Sequence, residues 1–256
     1  DALNQETIYD YNETGQQILQ KDALGRETKY EYDKLGRRTK RILPLGQVET
    51  YSYDTQGNLQ TKTDFNGKTT AFAYDNMRRL LSKTPDASLN QTAVSFTYND
   101  LGQRATMTDA SGTTNYLYDS RNRLQHKTTP FGTLSYGYDE SGGIKTLRSS
   151  NANGVSVDYS YDELNRLESV KDNRLSGNQT TDYSYDAVGN LQSYTYPNQV
   201  TTSYSYNNLN RLTTMTISNA ANGLAGYNYT LGASGNRTQV TEASGRTVNY
   251  VYDDLY

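Results

Sequence analysis

The chain has no cysteine, no tryptophan, one histidine and four prolines in 256 residues. Without cysteine there are no disulfides, no thiolate nucleophile and no cysteine-ligated metal. A lone His126 cannot build a Ser–His–Asp triad or a histidine zinc cluster, so it reads as an ordinary strand or surface residue. Neither sign of charge dominates: 25 Lys and Arg face 28 Asp and Glu, for a net charge of -3. That balance leaves no basic footprint for nucleic acid. No apolar run approaches the ~18 residues of a spanning helix, so no membrane insertion is expected. Aliphatic side chains are also scarce. Leu, Ile, Val and Phe make up 43 residues, about a sixth of the chain, too few for a large conventional core.

Tyrosine takes their place, with 25 copies. It favours strands and combines a large apolar ring with a polar tip. Aligning these tyrosines exposes a tandem repeat of aromatic-x-Tyr-Asp. The second tyrosine recurs at Tyr11, Tyr32, Tyr53, Tyr74, Tyr98, Tyr118, Tyr138, Tyr161, Tyr185, Tyr206, Tyr229 and Tyr252. The spacings are 21, 21, 21, 24, 20, 20, 23, 24, 21, 23 and 23 residues. The residue two positions earlier is Tyr, or Phe72 and Phe96, and only Tyr194, Tyr196 and Tyr256 lie outside the motif.

Aromatic-x-Tyr has the period of a strand, so the two rings share one face. The next position holds Asp33, Asp54, Asp75, Asp119, Asp139, Asp162, Asp186 or Asp253, with Asn12, Asn99 and Asn207 as variants and Thr230 as an exception. Asp and Asn bond their own backbone two residues on and start a turn. Four residues after the tyrosine stands Gly15, Gly36, Gly57, Gly102, Gly142 or Gly189, or else Asn122, Asn165 or Asn210. These residues tolerate the positive φ of a bulged hairpin loop. Arg78 and Tyr256 break the rule, and the copy after Tyr229 carries extra residues before Gly235, so left-handed geometry is expected as a tendency. The chain then enters a second strand through Leu59, Leu80, Leu124, Leu167, Leu191 or Leu212, or through Ile18 or Ile144. Looser turns such as Asp22–Gly25, Asp64–Gly67 and Asp109–Gly112 separate successive copies.

Two strands and two turns per repeat predict an all-β chain of tandem antiparallel hairpins, without helix. Adding ~9.6 Å per repeat, the sheet must curve or spiral, with tyrosine pairs stacked as ladders on one face. Residues 1–256 read as a single array of about twelve copies, cut from a longer protein at both ends.

The segments Tyr51-Ser-Tyr-Asp-Thr-Gln-Gly-Asn-Leu59 and Tyr183-Ser-Tyr-Asp-Ala-Val-Gly-Asn-Leu191 resemble the YD/RHS repeat. That family includes bacterial Rhs polymorphic toxins, the C component of insecticidal toxin complexes, wall-associated proteins and teneurins. The resemblance implies a partial RHS-type shell, secreted or at the bacterial cell surface, whose partners are the rest of the parent chain and an enclosed toxin domain. No Asp-Pro-x-Gly stretch of the kind linked to self-cleavage is present.

The functional expectation is therefore a structural shell segment, neither an enzyme nor a cofactor binder. The alternative is an aromatic repeat module that binds glycans or cell surfaces, although such modules rely on tryptophan. Exposed edge strands would also invite edge-to-edge self-association. The repeated aspartates read as turn starters and not as a calcium array. The arginines after the constant turn (Arg37, Arg79, Arg123, Arg166, Arg211, Arg237) are expected to pair with turn carboxylates along the row.

Overall fold

A computed structural model describes residues 6–177, 179–220 and 222–252. Asp253 and Tyr256 lie outside the described residues. The described chain forms 23 strands, from Ile8–Tyr11 to Thr247–Asn249, all antiparallel where their pairing is defined. The expectation of no helix needs one correction: Ala87–Leu89 forms a single 3-10 turn. Asp86 accepts from Ser88 N there and also from Thr69 N at the start of the strand Thr69–Tyr74, so this loop is tied down by one carboxylate.

The chain divides into two compact units, Asp1–Leu117 with Lys127–Phe131, and Tyr118–His126 with Gly132–Tyr256. Within the first, each strand pairs with its neighbours in sequence, from Tyr9 opposite Gln20 to Asp109 opposite Gly112. The second repeats the scheme from Leu134 opposite Ser149 to Thr241 opposite Thr247.

Each hairpin closes on the same loop. Asp33 shows it: its N–H donates to Arg37 O, Gly36 N–H returns to Asp33 O, and Asp33 Oδ1 accepts from Leu35 N and Arg37 N. The fourth residue after the motif position is left-handed in all eleven described loops, with Arg78 at φ 62° and Asn122 at 63° beside Gly36 at 80° and Gly57 at 89°. Positive φ is thus a rule here and not a tendency; Arg78 takes it because the loop closure demands it, at some steric cost. Several of the supposedly looser turns use the same loop, as at Asp22–Arg26, Asp64–Lys68 and Tyr196–Val200.

A one-residue bulge follows the constant loop wherever the hairpin's register is defined, because the four-residue loop puts an extra residue on the outgoing strand. Tyr53 therefore sits opposite Leu59 while Ser52 sits opposite Thr61. The same register puts Gln17, and not Ile18, opposite Tyr11. Ile18 is the bulged residue and is exposed, which corrects its assignment as the entry of the second strand.

The two faces differ in chemistry. The residue between the two aromatics faces away from the rings and joins cross-strand hydroxyl pairs, including Ser52–Thr61 at 2.6 Å, Thr97–Thr106 at 2.7 Å, Ser160–Ser169 at 2.7 Å and Ser184–Ser193 at 2.7 Å. The first aromatics line the other face. Val240, 7% exposed, is the one buried hydrophobic among the described residues. Stability therefore comes from half-buried contacts between adjacent hairpins and not from a common core.

Candidate functional site

The recurring feature is a junction between successive hairpins, built from the motif tyrosine, the turn aspartate and the arginine after the turn. The bulge ends the backbone ladder early at the constant-loop edge; between strands Leu167–Asp172 and Thr180–Tyr185, for example, it stops at Ser169 opposite Asp182. That leaves the carbonyl of the outgoing strand's first residue without a ladder partner. The motif tyrosine of the next hairpin supplies the missing donor. Tyr32 donates to Gln17 O at 2.8 Å, Tyr53 to Arg38 O at 2.8 Å, Tyr98 to Leu80 O at 2.8 Å and Tyr138 to Leu124 O at 2.7 Å. Tyr161 reaches Ile144 O at 3.0 Å, Tyr185 Leu167 O at 3.0 Å, Tyr206 Leu191 O at 2.9 Å and Tyr252 Arg237 O at 2.7 Å. Tyr74 holds the same register position opposite Leu80, Tyr118 closes the strand Gly112–Tyr118, and Tyr11 lies exposed opposite Gln17. Burial raises the Tyr138, Tyr161 and Tyr206 hydroxyl pKa values, keeping the donors protonated.

Arginine locks the same ring from the other side. Arg37 Nε donates to Asp33 Oδ2 of its own turn at 2.7 Å, and its guanidinium lies 4.6 Å from the centre of the Tyr53 ring in the next repeat. Asp75–Arg79–Tyr98, Asp119–Arg123–Tyr138 and Asp162–Arg166–Tyr185 repeat the arrangement, with Nε–Oδ2 distances of 2.6, 2.8 and 2.7 Å and ring distances of 4.7, 4.3 and 4.5 Å. The carboxylate holds the guanidinium flat over the ring, where the π-face attracts it. So the arginines pair within their own turn and reach the next repeat through its tyrosine, rather than through carboxylates along the row. Backbone N–H donation from Arg37, Arg79, Arg123 and Arg166, followed by the guanidinium contact, lowers the pKa of Asp33, Asp75, Asp119 and Asp162. In Asp54 and Asp186 an asparagine takes the arginine's place, with Asn58 and Asn190 Nδ2 donating at 2.8 and 2.9 Å. Asp139 keeps only the backbone half, accepting from Gly143 N at 2.8 Å. Gly36, Gly57, Gly102 and Gly189 carry positive φ at the fourth loop position.

Two expectations need correction here. The motif tyrosines do not stack as tyrosine ladders; in the four complete locks a guanidinium lies over the ring instead, held there by the attraction of a cation to a π-face. Direct ring contacts gather instead around Tyr194, a residue outside the motif. The second correction concerns Tyr229. Leu231, not Tyr229, sits opposite Arg237 after the bulge, and the loop starts at Gly232. Arg237 lies 4.9 Å from the Tyr229 ring, as Arg38 lies 4.7 Å from Tyr30 and Arg104 4.6 Å from Phe96, each over the first aromatic of its own hairpin. Tyr229 is therefore the first aromatic of its copy, and the lock position holds a leucine without a hydroxyl. Counting back four residues from Gly235 would have found this.

The RHS Repeat family pattern matches residues 11–48, 40–69, 53–89 and 185–223. Over those stretches the chain belongs to the YD/RHS repeat family. Its array resembles the crystal structure of TcdB2-TccC3-TEV with a TM-score of 0.74 and 19% identity, over 95% of this chain and 15% of that one. It resembles TcdB2-TccC3 without its hypervariable C-terminal region at a TM-score of 0.68 and 17% identity, over 98% and 16%. The Photorhabdus luminescens Tc holotoxin pore matches at 0.51 and 16% identity, over 95% and 20%. At these identities the likeness is one of fold, and the chain spans a fifth or less of the structures it matches. No curated protein sequence matches.

Among the described residues no group of three His, Cys, Asp or Glu side chains is placed to hold a metal ion. His126 lies in the strand Leu124–Thr129, where its Nδ1 shares a hydrogen bond with Ser135 Oγ at 2.9 Å.

Proposed function

We propose that this RHS array is wall: a structural β-sheet segment of a large exported bacterial toxin or cell-surface protein, which encloses or displays another domain and performs no catalysis itself. The observation that carries this reading is the direction of the motif's chemistry. In the complete locks, the tyrosine hydroxyl, the aspartate and the arginine all face a neighbouring hairpin or their own turn. A surface evolved to act on a ligand would leave some of those groups free. The fold likeness to toxin-complex chains and the small share of those chains that this array covers support the same role. The rest of the parent chain is then the main partner, with an enclosed toxin domain as cargo.

Limited proteolysis of the full-length parent protein, mapped by mass spectrometry, tests enclosure. The cargo domain should resist cleavage until the β-sheet melts. Cargo cut under native conditions as fast as the isolated domain would contradict enclosure. Glycan-array binding lost on tyrosine substitution would move the assignment to a surface-binding module.

A further inference from the structure

Several tyrosine rings of the array are faced by cations that the chain itself supplies, from Arg37 over Tyr53 to Arg237 over Tyr229, with Lys62 5.7 Å from the Tyr51 ring. One region differs. Tyr194 contacts Tyr183 at 5.9 Å, Tyr196 at 5.2 Å in an edge-on arrangement, and Tyr204 at 6.2 Å. The segment 187–210, which contributes Tyr194, Tyr196 and Tyr204, contains no Asp, Glu, Lys or Arg. No guanidinium or ammonium of the described chain lies over these four rings. Tyr196 is 44% exposed, so the cluster is open on one side.

Thr202, 3% exposed, sits opposite Tyr194 in the strand ladder. Burial pushes the Tyr204 hydroxyl pKa up to about 12, which keeps it neutral.

We propose that Tyr183, Tyr194, Tyr196 and Tyr204 form a binding site for an external quaternary ammonium group. Four rings gather there with no cation of the described chain over them and with Tyr196 open to solvent. The choice among cations follows from what is missing beside it. Each arginine of the four complete locks has a carboxylate to accept its N–H donors; here Asp186 is held in its own turn by Asn190, and Asp182, paired opposite Ser169 and Thr195, lies on the hydroxyl face. A guanidinium or primary ammonium would give up water with no acceptor in return. A quaternary ammonium has no N–H to satisfy and gains the π-face contact alone. The platform is open, so the affinity belongs in the millimolar range.

Titration of the 256-residue chain with tetramethylammonium, followed by NMR of the tyrosine ring resonances, tests the site. Saturable shifts confined to these four tyrosines are expected. The neutral isostere 3,3-dimethyl-1-butanol and guanidinium should each bind about tenfold more weakly. Tyr194→Leu should abolish the shifts without unfolding the array, because Leu147 and Val170 hold the same register position in neighbouring hairpins. Tyr196→Ser, at an exposed site outside the motif, should weaken them independently. Equal binding of the neutral isostere or of guanidinium would overturn the proposal. So would shifts spread over all tyrosines and unchanged in both variants.

Discussion

The two units build the same hairpins around opposite chemistry at one position. Nine residues after the motif position, facing the first aromatic across the hairpin, the first unit places Arg41 opposite Tyr30, Lys62 opposite Tyr51 and Lys83 opposite Phe72, with Gln20 opposite Tyr9 and Met107 opposite Phe96 as its uncharged copies. The second unit places Leu147 opposite Tyr136, Val170 opposite Tyr159, Tyr194 opposite Tyr183, Met215 opposite Tyr204 and Val240 opposite Tyr229. In the first unit the row closes on an acid. Glu49, its side chain 7% exposed, lies opposite Arg41, bonds Lys62 at 2.7 Å and accepts from the Tyr51 hydroxyl. Val157 and Val248 occupy that place in the second unit. A long cationic stem and an aliphatic side chain cover the ring about equally well. The difference is that the cation needs a buried partner and the aliphatic does not.

Acid should separate the units most widely. In the first unit Asp33, Asp54 and Asp75, and in the second Asp119, Asp162 and Asp186, have folded pKa values below the ordinary 3.8, held chiefly by backbone N–H donors or, in Asp54 and Asp186, by asparagine side chains. Their contribution is fully present above that value and is lost as pH falls through the lowered folded values. Asp86 and Asp172 stay ionised longest, to about 2. The lowered pKa of Glu49, where the Lys62 and Tyr51 contacts outweigh the cost of burial, adds a further acid-labile term to the first unit alone. Melting followed by circular dichroism should therefore be flat from about pH 7 to about pH 5 and fall below about pH 4, with the first unit leading. A melting point unchanged down to about pH 3 would contradict the carboxylate account.

Glu49→Leu breaks the comparison directly, because it strands Arg41 and Lys62. A loss of about 2 kcal/mol is expected, below the range for a fully buried pair because Lys62 reaches solvent. Adding Lys62→Leu should recover much of it by importing the second unit's chemistry. Urea melts of the single and double variants measure both steps, and equal stability of the two would sink the idea.

The lock itself is open to finer tests. Tyr185→Phe removes one hydroxyl and leaves Leu167 O without its donor, at a cost of about 1 kcal/mol. Leu231→Tyr installs the hydroxyl that the eleventh copy lacks, and a gain of up to about 1 kcal/mol is expected if it reaches Leu212 O. Asn207→Asp should have the smallest effect. Arg211 follows a neutral Asn207, and its Nε is buried without a hydrogen-bond partner. A carboxylate there would restore the pattern of Asp162 with Arg166 and raise stability by about 0.5–1 kcal/mol. No gain in the Asn207→Asp melt would mean that Arg211 Nε is satisfied by water.

The period, the strands and the loops were legible because each follows from a local rule: alternation for Tyr51-Ser-Tyr53, a self-bonding aspartate at Asp54, a flexible residue at Gly57. The locks were not, because they join residues 14 to 18 apart through a side chain and a carbonyl, as Tyr138 joins Leu124 and Tyr185 joins Leu167. Carbonyls leave no mark in sequence. The register of Tyr229 was misjudged because tyrosine spacing alone cannot tell Tyr-x-Tyr from Tyr-x-Leu; the loop glycine at Gly235 was the better ruler. Arg78 shows the converse case, where closure imposes a backbone conformation that the side chain resists.

The central claim is that stability passes from hairpin to hairpin through these locks. Hydrogen exchange measured by mass spectrometry on Tyr185→Ala tests it most directly. Protection should fall in the hairpins flanking Tyr185, from about Tyr159 to Thr195, while Tyr30–Lys83 exchanges as in the parent chain. A uniform loss of protection along the whole chain would contradict the account, because it would mean that the array unfolds as one cooperative body.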